Sequence, residues 1–239
     1  TATLVHDDII DNSDLRRGKT TVNVAWSNSH GVLIGDFIYS KAFMLMNEIG
    51  NFKVIDELSS ATNKIAEGEL MQLANKNNLN TSLQQLKKIS YYKTGRLFEA
   101  SAKSAAMLSG KSIPFIENIS KAAKLIGIAF QVRDDLLDYG VSKGNIGKPE
   151  MQDILEDKIT YPLYFALKYS NKKDSSKILK KLKNKDFSIE EVADFVSSSN
   201  AFNKCNSLIQ NYNNEISKCI NQISNKEIRD EMLNLSESL

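Results

Sequence analysis

The sequence predicts an all-α fold, and three observations carry that prediction. Apolar residues recur at helical spacing along most of the chain, and no alternating stretch is long enough for a convincing strand. Proline occurs 3 times and glycine 11 times in 239 residues, which is low for an all-β or loop-rich chain. No repeat or low-complexity linker divides the chain, so we expect one domain over residues 1–239.

The first half of the chain predicts three long helices. Thr1 leads directly into an apolar and acidic segment that is typical of a helix already begun, so we expect further residues upstream of it. Residues 28–48 and 52–75 each carry an apolar stripe at helical spacing. Residues 82–109 are rich in alanine and punctuated by lysine, which favours a third helix over that range.

The second half begins with the most apolar segment of the chain. Pro114 is typical of a first helical turn, and the helix it begins runs to Leu137 with apolar residues on most of its circumference, so we expect it to be buried. Residues 140–149, with three glycines and a proline, predict a loop. Helices should resume near Asp153, restart at Pro162 and continue as shorter pieces to the end.

Charge and cysteine content narrow the class of protein. The chain has 31 lysines and arginines against 29 acidic residues, a net charge of +2, which excludes binding to polyanions through bulk charge. Cys205 and Cys219 should lie on one helix about 21 Å apart, too far for a disulfide, which fits a reducing cytoplasm. No run of apolar residues is long enough to predict a transmembrane helix.

A lysine-rich segment, residues 168–185, carries eight lysines above a stripe of leucine and isoleucine. A solvated helical face is the simpler interpretation of this pattern. Contact with an anionic membrane surface, as a peripheral interaction, is the alternative.

Two acidic motifs of the same form lie in otherwise apolar helical segments: Asp7-Asp8-x-x-Asp11 and Asp134-Asp135-x-x-Asp138. Residues three and four positions apart share a helix face, so each motif places three carboxylates on one side of its helix. Like charges so placed repel, and aspartate is a poor helix former, so a purely structural role would rarely choose this pattern twice. Mg²⁺ is usually held by such oxygen ligands together with water and substrate phosphates. The motifs therefore predict magnesium sites.

Cationic residues accompany both motifs. They are Arg16, Arg17 and Lys19 around Gly18, then Lys93 beside Thr94, and then Lys148 and Lys158. Guanidinium groups match pairs of phosphate oxygens, and lysine supplies a point charge. With apolar helices between them, these groups describe a pocket for a diphosphate attached to a hydrocarbon. Taken singly, either arginine could instead pair with Asp14, and Lys93 could be a solvent-exposed residue.

The order of these motifs resembles the trans-polyprenyl diphosphate synthases over essentially the whole chain. The motifs that carry the resemblance are Asp7-Asp8-x-x-Asp11, Arg16-Arg17-Gly18, Lys93-Thr94, Phe130-Gln131-x-x-Asp134-Asp135-x-x-Asp138, Gly147-Lys148 and Asp153-x-x-x-x-Lys158. The stretch Thr1–Met46 is most similar to the bacterial octaprenyl diphosphate synthases of ubiquinone biosynthesis. The resemblance implies an isoprenoid-synthase-type helical bundle around a central apolar pocket, forming a homodimer.

The resemblance also implies a role for each matched residue. Asp7 and Asp11 would ligate two Mg²⁺ ions and Asp134 a third, with Asp8, Asp135, Asp138 and Asp153 supporting the ions or their water. Arg16, Lys93 and Lys158 would hold the allylic diphosphate, with Thr94, Gln131 and Lys148 beside them, and Arg17 would hold isopentenyl diphosphate. The C–O bond of the allylic diphosphate would ionise, and the double bond of isopentenyl diphosphate would attack the cation. Proton loss would then leave a product longer by one isoprene unit.

This sequence departs from the family pattern at two places. The remaining isopentenyl diphosphate contacts of the family, a lysine, an arginine and a histidine, lie upstream of the position of Thr1, and His6 does not replace that histidine. We therefore expect residues 1–239 alone to be impaired in turnover. Asp157 stands where close relatives usually carry glycine, a change that shorter-chain synthases tolerate.

Product length is expected to depend on the residue about one and a half turns before Asp7, which is the small Ala2. Bulky aromatic residues near that position stop chain growth in the family, so Ala2 favours a long, octaprenyl-like product. A shorter-chain or longer-chain synthase of the same family is an alternative. A catalytically inactive partner subunit of a heteromeric synthase is another, although such subunits usually lose an acidic motif. A terpene cyclase or head-to-head synthase would usually lack Arg16-Arg17-Gly18.

Overall fold

The computed structural model describes residues 1–140 and 151–237, and these residues are predominantly helical. The prediction of an all-α fold is confirmed. The described residues fall into two compact units. The first is Thr1–Ile55, and the second comprises residues 56–140 and 151–237.

The first unit holds helices and one small hairpin. Its elements are α1 (Ala2–Ile10), β1 (Leu15–Arg16), β2 (Lys19–Thr20), α2 (Val22–Ala25) and α3 (Asn28–Ile49). The hairpin was not expected from the sequence because each strand has only two residues, too few to show alternation. Its turn residues Arg17 and Gly18 have φ values of 53° and 72°, the conformation that a two-residue hairpin turn requires and that glycine adopts easily.

Helix α1 packs on α3 through two buried glycines of α3. A Cβ atom at Gly31 would lie 2.6 Å from Cδ1 of Ile9, and one at Gly35 would overlap the ring of His6. His6 Nε2 lies 3.0 Å from the carbonyl oxygen of Val32, within hydrogen-bond distance. The backbones therefore approach closely, and this contact fixes the helix that carries the first acidic motif.

The second unit is built of helices. They are α4 (Phe52–Ala74, which begins in the first unit), α5 (Leu83–Ser90), α6 (Arg96–Leu108), α7 (Ile113–Asp138), α8 (Gln152–Leu155), α9 (Tyr161–Tyr169), α10 (Lys172–Asn184), α11 (Ile189–Ser198), α12 (Ala201–Ile220) and α13 (Lys226–Glu237). Most predicted bounds agree with these to within one or two residues. The predicted helix 82–109 instead contains a π-helical turn, Tyr91–Gly95, between α5 and α6.

Helix α7 forms the centre of the second unit, as its apolar circumference predicts. It packs against α6 and α12, and its residues Ile126, Val132 and Leu136 are at most 1% exposed. Cys205 and Cys219 both lie on α12, are buried and form no disulfide, as predicted. Across the two described stretches, no helix is both long and apolar enough to cross a membrane.

The lysine-rich segment divides between two helices. Lys168 lies in the last turn of α9, and the other lysines up to residue 183 lie on α10. Ile178 is buried beneath them, whereas Lys180 and Lys183 are exposed, which is the pattern of an amphipathic helix. Lys181 forms an ion pair of 2.6 Å with Glu191 of α11.

Candidate functional site

The first acidic motif occupies the end of α1. Asp7 is half-buried, Asp8 is buried, and Asp11 is the residue that ends the helix. The Nε atom of Arg16 donates to Oδ1 of Asp8 at 2.6 Å, because the hairpin β1–β2 turns back onto the helix. Arg17 is exposed at the tip of that hairpin. The first unit thus brings both predicted arginines close in sequence and space to the motif, with Asp8 as the link to Arg16.

The second acidic motif occupies the last turn of α7. Asp134 is exposed, and Asp135 is buried. The Asp135 carboxylate accepts hydrogen bonds from Gln131 Nε2 at 2.9 Å and from the backbone N–H of Tyr161 at 3.2 Å. The amide oxygen of Gln131 in turn accepts from Thr94 Oγ1 at 2.9 Å. Two of the residues predicted to lie beside the substrate, Thr94 and Gln131, are therefore joined to Asp135 in one hydrogen-bond chain.

The third carboxylate of this motif, Asp138, joins α7 to α8. Its Oδ1 atom accepts from the backbone N–H of Gln152 at 3.0 Å, and its Oδ2 atom accepts from that of Asp153 at 3.1 Å. These N–H groups lie in the first turn of α8, where they have no partner within the helix. Asp138 therefore places Asp153 next to the second motif.

Burial and crowding of carboxylates shift the pKa values in this region. Burial, together with the charges of Asp134 and Asp138, raises the pKa of Asp135 to about 7, although the hydrogen bonds from Gln131 and Tyr161 act to lower it. Burial and the charges of Asp135 and Asp138 also raise the pKa of Asp153 well above its usual range, while Lys158 lowers it. The surroundings of the second motif therefore do not stabilise the ionised form of all these carboxylates at once.

The two predicted lysines line one small cavity in the second unit. The cavity has a volume of about 30 Å³, and Lys93, Lys158, Gln131 and Asp135 are among the residues that line it. Lys93 Nζ donates to Gln72 Oε1 at 2.8 Å and lies 3.0 Å from the Glu69 carboxylate, while Lys158 pairs with Glu156. Each ammonium group is thus held at the cavity by a neighbouring side chain.

The π-helical turn determines where Lys93 and Thr94 lie. A Cβ atom at Gly68 of α4 would lie 2.7 Å from the backbone nitrogen of Lys93, and one at Gly127 of α7 would lie 2.7 Å from Cα of Gly95. Both contacts are closer than side-chain-bearing residues allow, so the turn is held between two helices at positions that accept only glycine. π-Helical turns are frequent at functional sites.

A buried ion network fixes the helix that follows this turn. Arg96 Nη1 lies 2.5 Å from Oε1 of Glu57, and Lys103 Nζ lies 2.6 Å from Oε2. Burial raises the pKa of Glu57, but the hydrogen bonds from Lys103 and Arg96 outweigh it and lower the pKa overall. The network joins α4 to α6, the helix that begins directly after the π-helical turn.

Sequence reasoning missed the partners of the catalytic candidates. Glu69 and Gln72 are three residues apart on α4, so they share the face that meets Lys93, but many surface helices show the same spacing. The backbone N–H of Tyr161 carries no sequence signal at all. Ala2 is buried at the start of α1. Lys148 lies outside the described residues.

The chemistry of the acidic motifs fits Mg²⁺ bound together with a phosphate ligand. Within residues 1–140 and 151–237, no three side chains among His, Cys, Asp and Glu are arranged to surround a metal ion by themselves. Mg²⁺ commonly keeps several waters and uses only one or two carboxylates, so such an arrangement is not required. The raised pKa values of Asp135 and Asp153 show an excess of negative charge that a cation would relieve. We therefore judge the donor set suitable for Mg²⁺.

Comparison with known proteins connects these residues to a family. Residues 1–199 match the family model described as polyprenyl synthetase. The chain is 42% identical over 178 residues to octaprenyl diphosphate synthase of Escherichia coli, covering 74% of this chain and 55% of that protein. It is 37% identical over 206 residues to the geranyl-diphosphate-specific all-trans-nonaprenyl-diphosphate synthase of Rhodobacter capsulatus, covering 86% of this chain and 63% of that one. The chain thus spans little more than half the length of these relatives.

The fold agrees with a solved structure over nearly the whole chain. A polyprenyl synthase from Caulobacter crescentus, solved with calcium and isoprenyl diphosphate, superposes with a TM-score of 0.92 at 30% identity. The match covers 98% of this chain and 73% of that one.

The raised pKa of Asp135 predicts a specific pH dependence of stability. The folded state keeps the Asp135 proton up to about pH 7, whereas the unfolded state loses it near its ordinary pKa of 3.8, so this group destabilises the fold as pH rises between those values. Without divalent cations, the unfolding free energy of the original chain should therefore fall relative to that of Asp135→Asn, by up to about 1.4 kcal/mol per pH unit. Urea unfolding at a series of pH values between about 5 and 7 measures this difference.

The matched control is Asp230→Asn on the exposed surface of α13, whose pH profile should run parallel to that of the original chain. Parallel profiles for Asp135→Asn as well would show that the Asp135 carboxylate has an ordinary pKa.

Proposed function

This chain belongs to the polyprenyl synthetase family, and on that premise we propose that it is a Mg²⁺-dependent prenyltransferase that condenses isopentenyl diphosphate with an allylic prenyl diphosphate. The observation that carries the proposal is the convergence of Lys93, Lys158, Gln131 and Asp135 on one cavity. Two ammonium groups beside a buried carboxylate provide contacts for a diphosphate and for a cation that accompanies it.

In the second unit, the lysines would bind the allylic diphosphate. Lys93 would exchange its contact with Glu69, and Lys158 its contact with Glu156, for phosphate oxygens, so the cavity must widen when the substrate binds. Thr94 and Gln131 would contact the same diphosphate, and the family resemblance assigns Lys148, outside the described residues, to it as well. Fixed cations stabilise the charge that develops on a leaving diphosphate more strongly than the charge of the bound substrate, which lowers the barrier to C–O cleavage.

In the first unit, Arg16 would bind the allylic diphosphate and Arg17 would bind isopentenyl diphosphate. The hydrogen bond from Arg16 to Asp8 supports the first assignment because it holds the guanidinium group beside the acidic motif. The exposed position of Arg17 at the hairpin tip supports the second, since its donors are open to an incoming phosphate.

The acidic motifs would hold the metal. Asp7, Asp11 and Asp134 would ligate Mg²⁺, and Asp8, Asp135, Asp138 and Asp153 would orient these ligands or accept hydrogen bonds from metal-bound water. Bound Mg²⁺ would offset the negative charge of the departing diphosphate. The Caulobacter crescentus synthase, solved with calcium and isoprenyl diphosphate, supports a divalent cation together with a diphosphate ligand.

The product would be long, and we propose an octaprenyl-like chain of the kind attached to a quinone. The relatives named as octaprenyl and nonaprenyl synthases support a product in this range. Ala2 supports it as well, because its small side chain stands buried at the start of the helix that carries the first motif, where a bulky residue would take more space.

The protein would act as a homodimer in the cytoplasm. Helix α3 exposes Leu33, Phe37 and Met44 to between 56% and 70%, an apolar surface that a second copy would cover. The buried, unpaired Cys205 and Cys219 support a reducing compartment.

The proposed activity predicts Mg²⁺-dependent incorporation of labelled isopentenyl diphosphate onto farnesyl diphosphate by the full natural chain. Asp134→Asn should lower the rate at least about 100-fold, because it removes a proposed metal ligand that acts on the leaving group. Chelation with EDTA should abolish turnover, and added Mg²⁺ should restore it.

Asp14→Asn is the matched control, since Asp14 is exposed near the first motif and has no proposed role, and its rate should stay within about two-fold of the original. A chain that incorporates nothing under any of these conditions would favour the inactive partner subunit. Turnover that persists in EDTA would contradict the metal assignment.

The proposed role of Ala2 predicts that Ala2→Phe shortens the product. The added ring would fill volume beside the start of α1, so chain growth should stop after fewer isoprene units. Chromatography of the dephosphorylated products measures the length. Ala25→Phe, on the exposed surface of α2, should leave the length unchanged. A product of the original length from Ala2→Phe would contradict the assignment.

A further inference from the structure

A second cavity of the second unit has no role in the proposed reaction. Its volume is about 280 Å³, roughly nine times that of the cavity beside Lys93. The walls come from the loop before α5, from α8 and the segment that follows it, from α9, and from the end of α10. Ligand pockets begin at about 300 Å³, so this cavity approaches the size of a small-molecule site.

The lining of this cavity is divided between apolar walls and a basic rim. Its walls are formed by Leu79, Ile154, Ile159, Leu163, Leu182 and Phe187. The lining also holds three lysines, Lys158, Lys183 and Lys185, and one carboxylate, that of Asp157. Lys185 pairs with Asp157, and Lys158 pairs with Glu156, which is outside this lining. Lys183 is exposed and forms no ion pair with any residue that the structure describes. The rim therefore carries a positive charge that the cavity itself does not neutralise.

The rim is held in a fixed shape. Lys185 Nζ lies 2.8 Å from Oδ2 of Asp157, and the same oxygen accepts from Asn77 Nδ2 at 3.2 Å. The backbone N–H of Asn77 also donates to the carbonyl oxygen of Asp157 at 2.9 Å. Lys185 also ends helix α10 as its left-handed cap, with its backbone N–H directed at the carbonyl oxygens of the last turn. These hydrogen bonds and the ion pair connect the loop before α5, the segment after α8 and the end of α10 around the opening, with no ligand needed to bring them together.

We propose that this cavity binds an anionic amphiphile with one hydrocarbon tail. The tail would lie against the leucine, isoleucine and phenylalanine walls, and a phosphate or carboxylate head would contact Lys183 at the rim. The volume equals that of about nine water molecules, which admits one short tail and excludes two. The basic rim disfavours a cationic head, and it gives Lys183 and Lys185 of the lysine-rich segment a role that a solvated face would not.

The site also adjoins the proposed diphosphate-binding lysine. Lys158 and Ile159 line both this cavity and the smaller cavity beside Lys93. A ligand in the larger cavity would therefore contact the chain segment that carries Lys158. The binding proposal itself does not depend on prenyl transfer.

The test is a titration of the full natural chain with decyl phosphate below its micelle concentration, followed by the NMR methyl signals of isoleucine and leucine. Signals of Ile154, Leu163 and Leu182 should shift together and saturate at one site. Lys183→Gln should weaken binding about three- to five-fold, since it removes one exposed charge contact. Lys180→Gln, an equally exposed lysine on the same helix, should leave the affinity unchanged.

Three further ligands separate the possible outcomes. Butyl phosphate should bind at least ten-fold more weakly because its tail buries less apolar surface, and decyltrimethylammonium should cause no shift at these methyl groups. Equal affinity of Lys183→Gln and the original chain would overturn the proposal. So would shifts confined to Ile89, beside the smaller cavity, or binding to vesicles of a two-tailed anionic phospholipid that matches decyl phosphate in its sensitivity to Lys183→Gln.

Discussion

The burial of the Asp135 carboxylate is the constraint on which the second unit's site depends. A carboxylate removed from water is costly unless it is hydrogen-bonded and its charge is balanced. Gln131 and the backbone of Tyr161 supply the hydrogen bonds, but no cation pairs with Asp135 among the contacts described, and its pKa rises to about 7. A cation placed near Asp135 would therefore stabilise the ionised carboxylate, which is the property that a metal and diphosphate site needs.

In the absence of ligand, the surrounding side chains hold the two nearby lysines in contacts of their own, and none of the contacts described joins them to the Asp135 carboxylate. Lys93 is held by Glu69 and Gln72, and Lys158 is held by Glu156, although both line the cavity that Asp135 lines. Glycine contacts on α4 and α7 fix the π-helical turn, so Lys93 cannot simply approach the carboxylate by a shift of its backbone. Both ammonium groups therefore line the cavity in reach of a substrate that carries its own negative charge.

Much of this fold could be predicted from the sequence because it follows local rules. Apolar spacing gave the bounds of α3, α4 and α7 closely, and the apolar circumference of α7 correctly indicated burial. Gln131 lies one helical turn before Asp135, but the association of Thr94 with this motif could be inferred only through the family resemblance, since 37 residues separate Thr94 from Gln131. The structure adds the contact itself, a hydrogen bond between the two side chains.

The remaining features could not be predicted because tertiary contacts produce them. The π-helical turn contains Thr94 and Gly95, which are poor helix formers but do not by themselves indicate a π-helix, and it lies where Gly68 and Gly127 allow close approach. The strands of the hairpin at Arg16 are too short to show an alternation of apolar and polar residues. The hydrogen bond from Arg16 to Asp8 depends on the turn of that hairpin. The contacts of Asp157 with Asn77 and with Lys185 join segments that are far apart in sequence.

The most direct test of this account is a carbon-13 NMR titration of the Asp135 carboxyl, assigned by its loss in Asp135→Asn. Without divalent cations, the account predicts a titration midpoint near pH 7. Adding Mg²⁺ with inorganic diphosphate should move that midpoint to lower pH, since nearby positive charge favours the ionised form. A midpoint in the ordinary carboxyl range without Mg²⁺, or one that stays in place when Mg²⁺ and diphosphate are added, would contradict it.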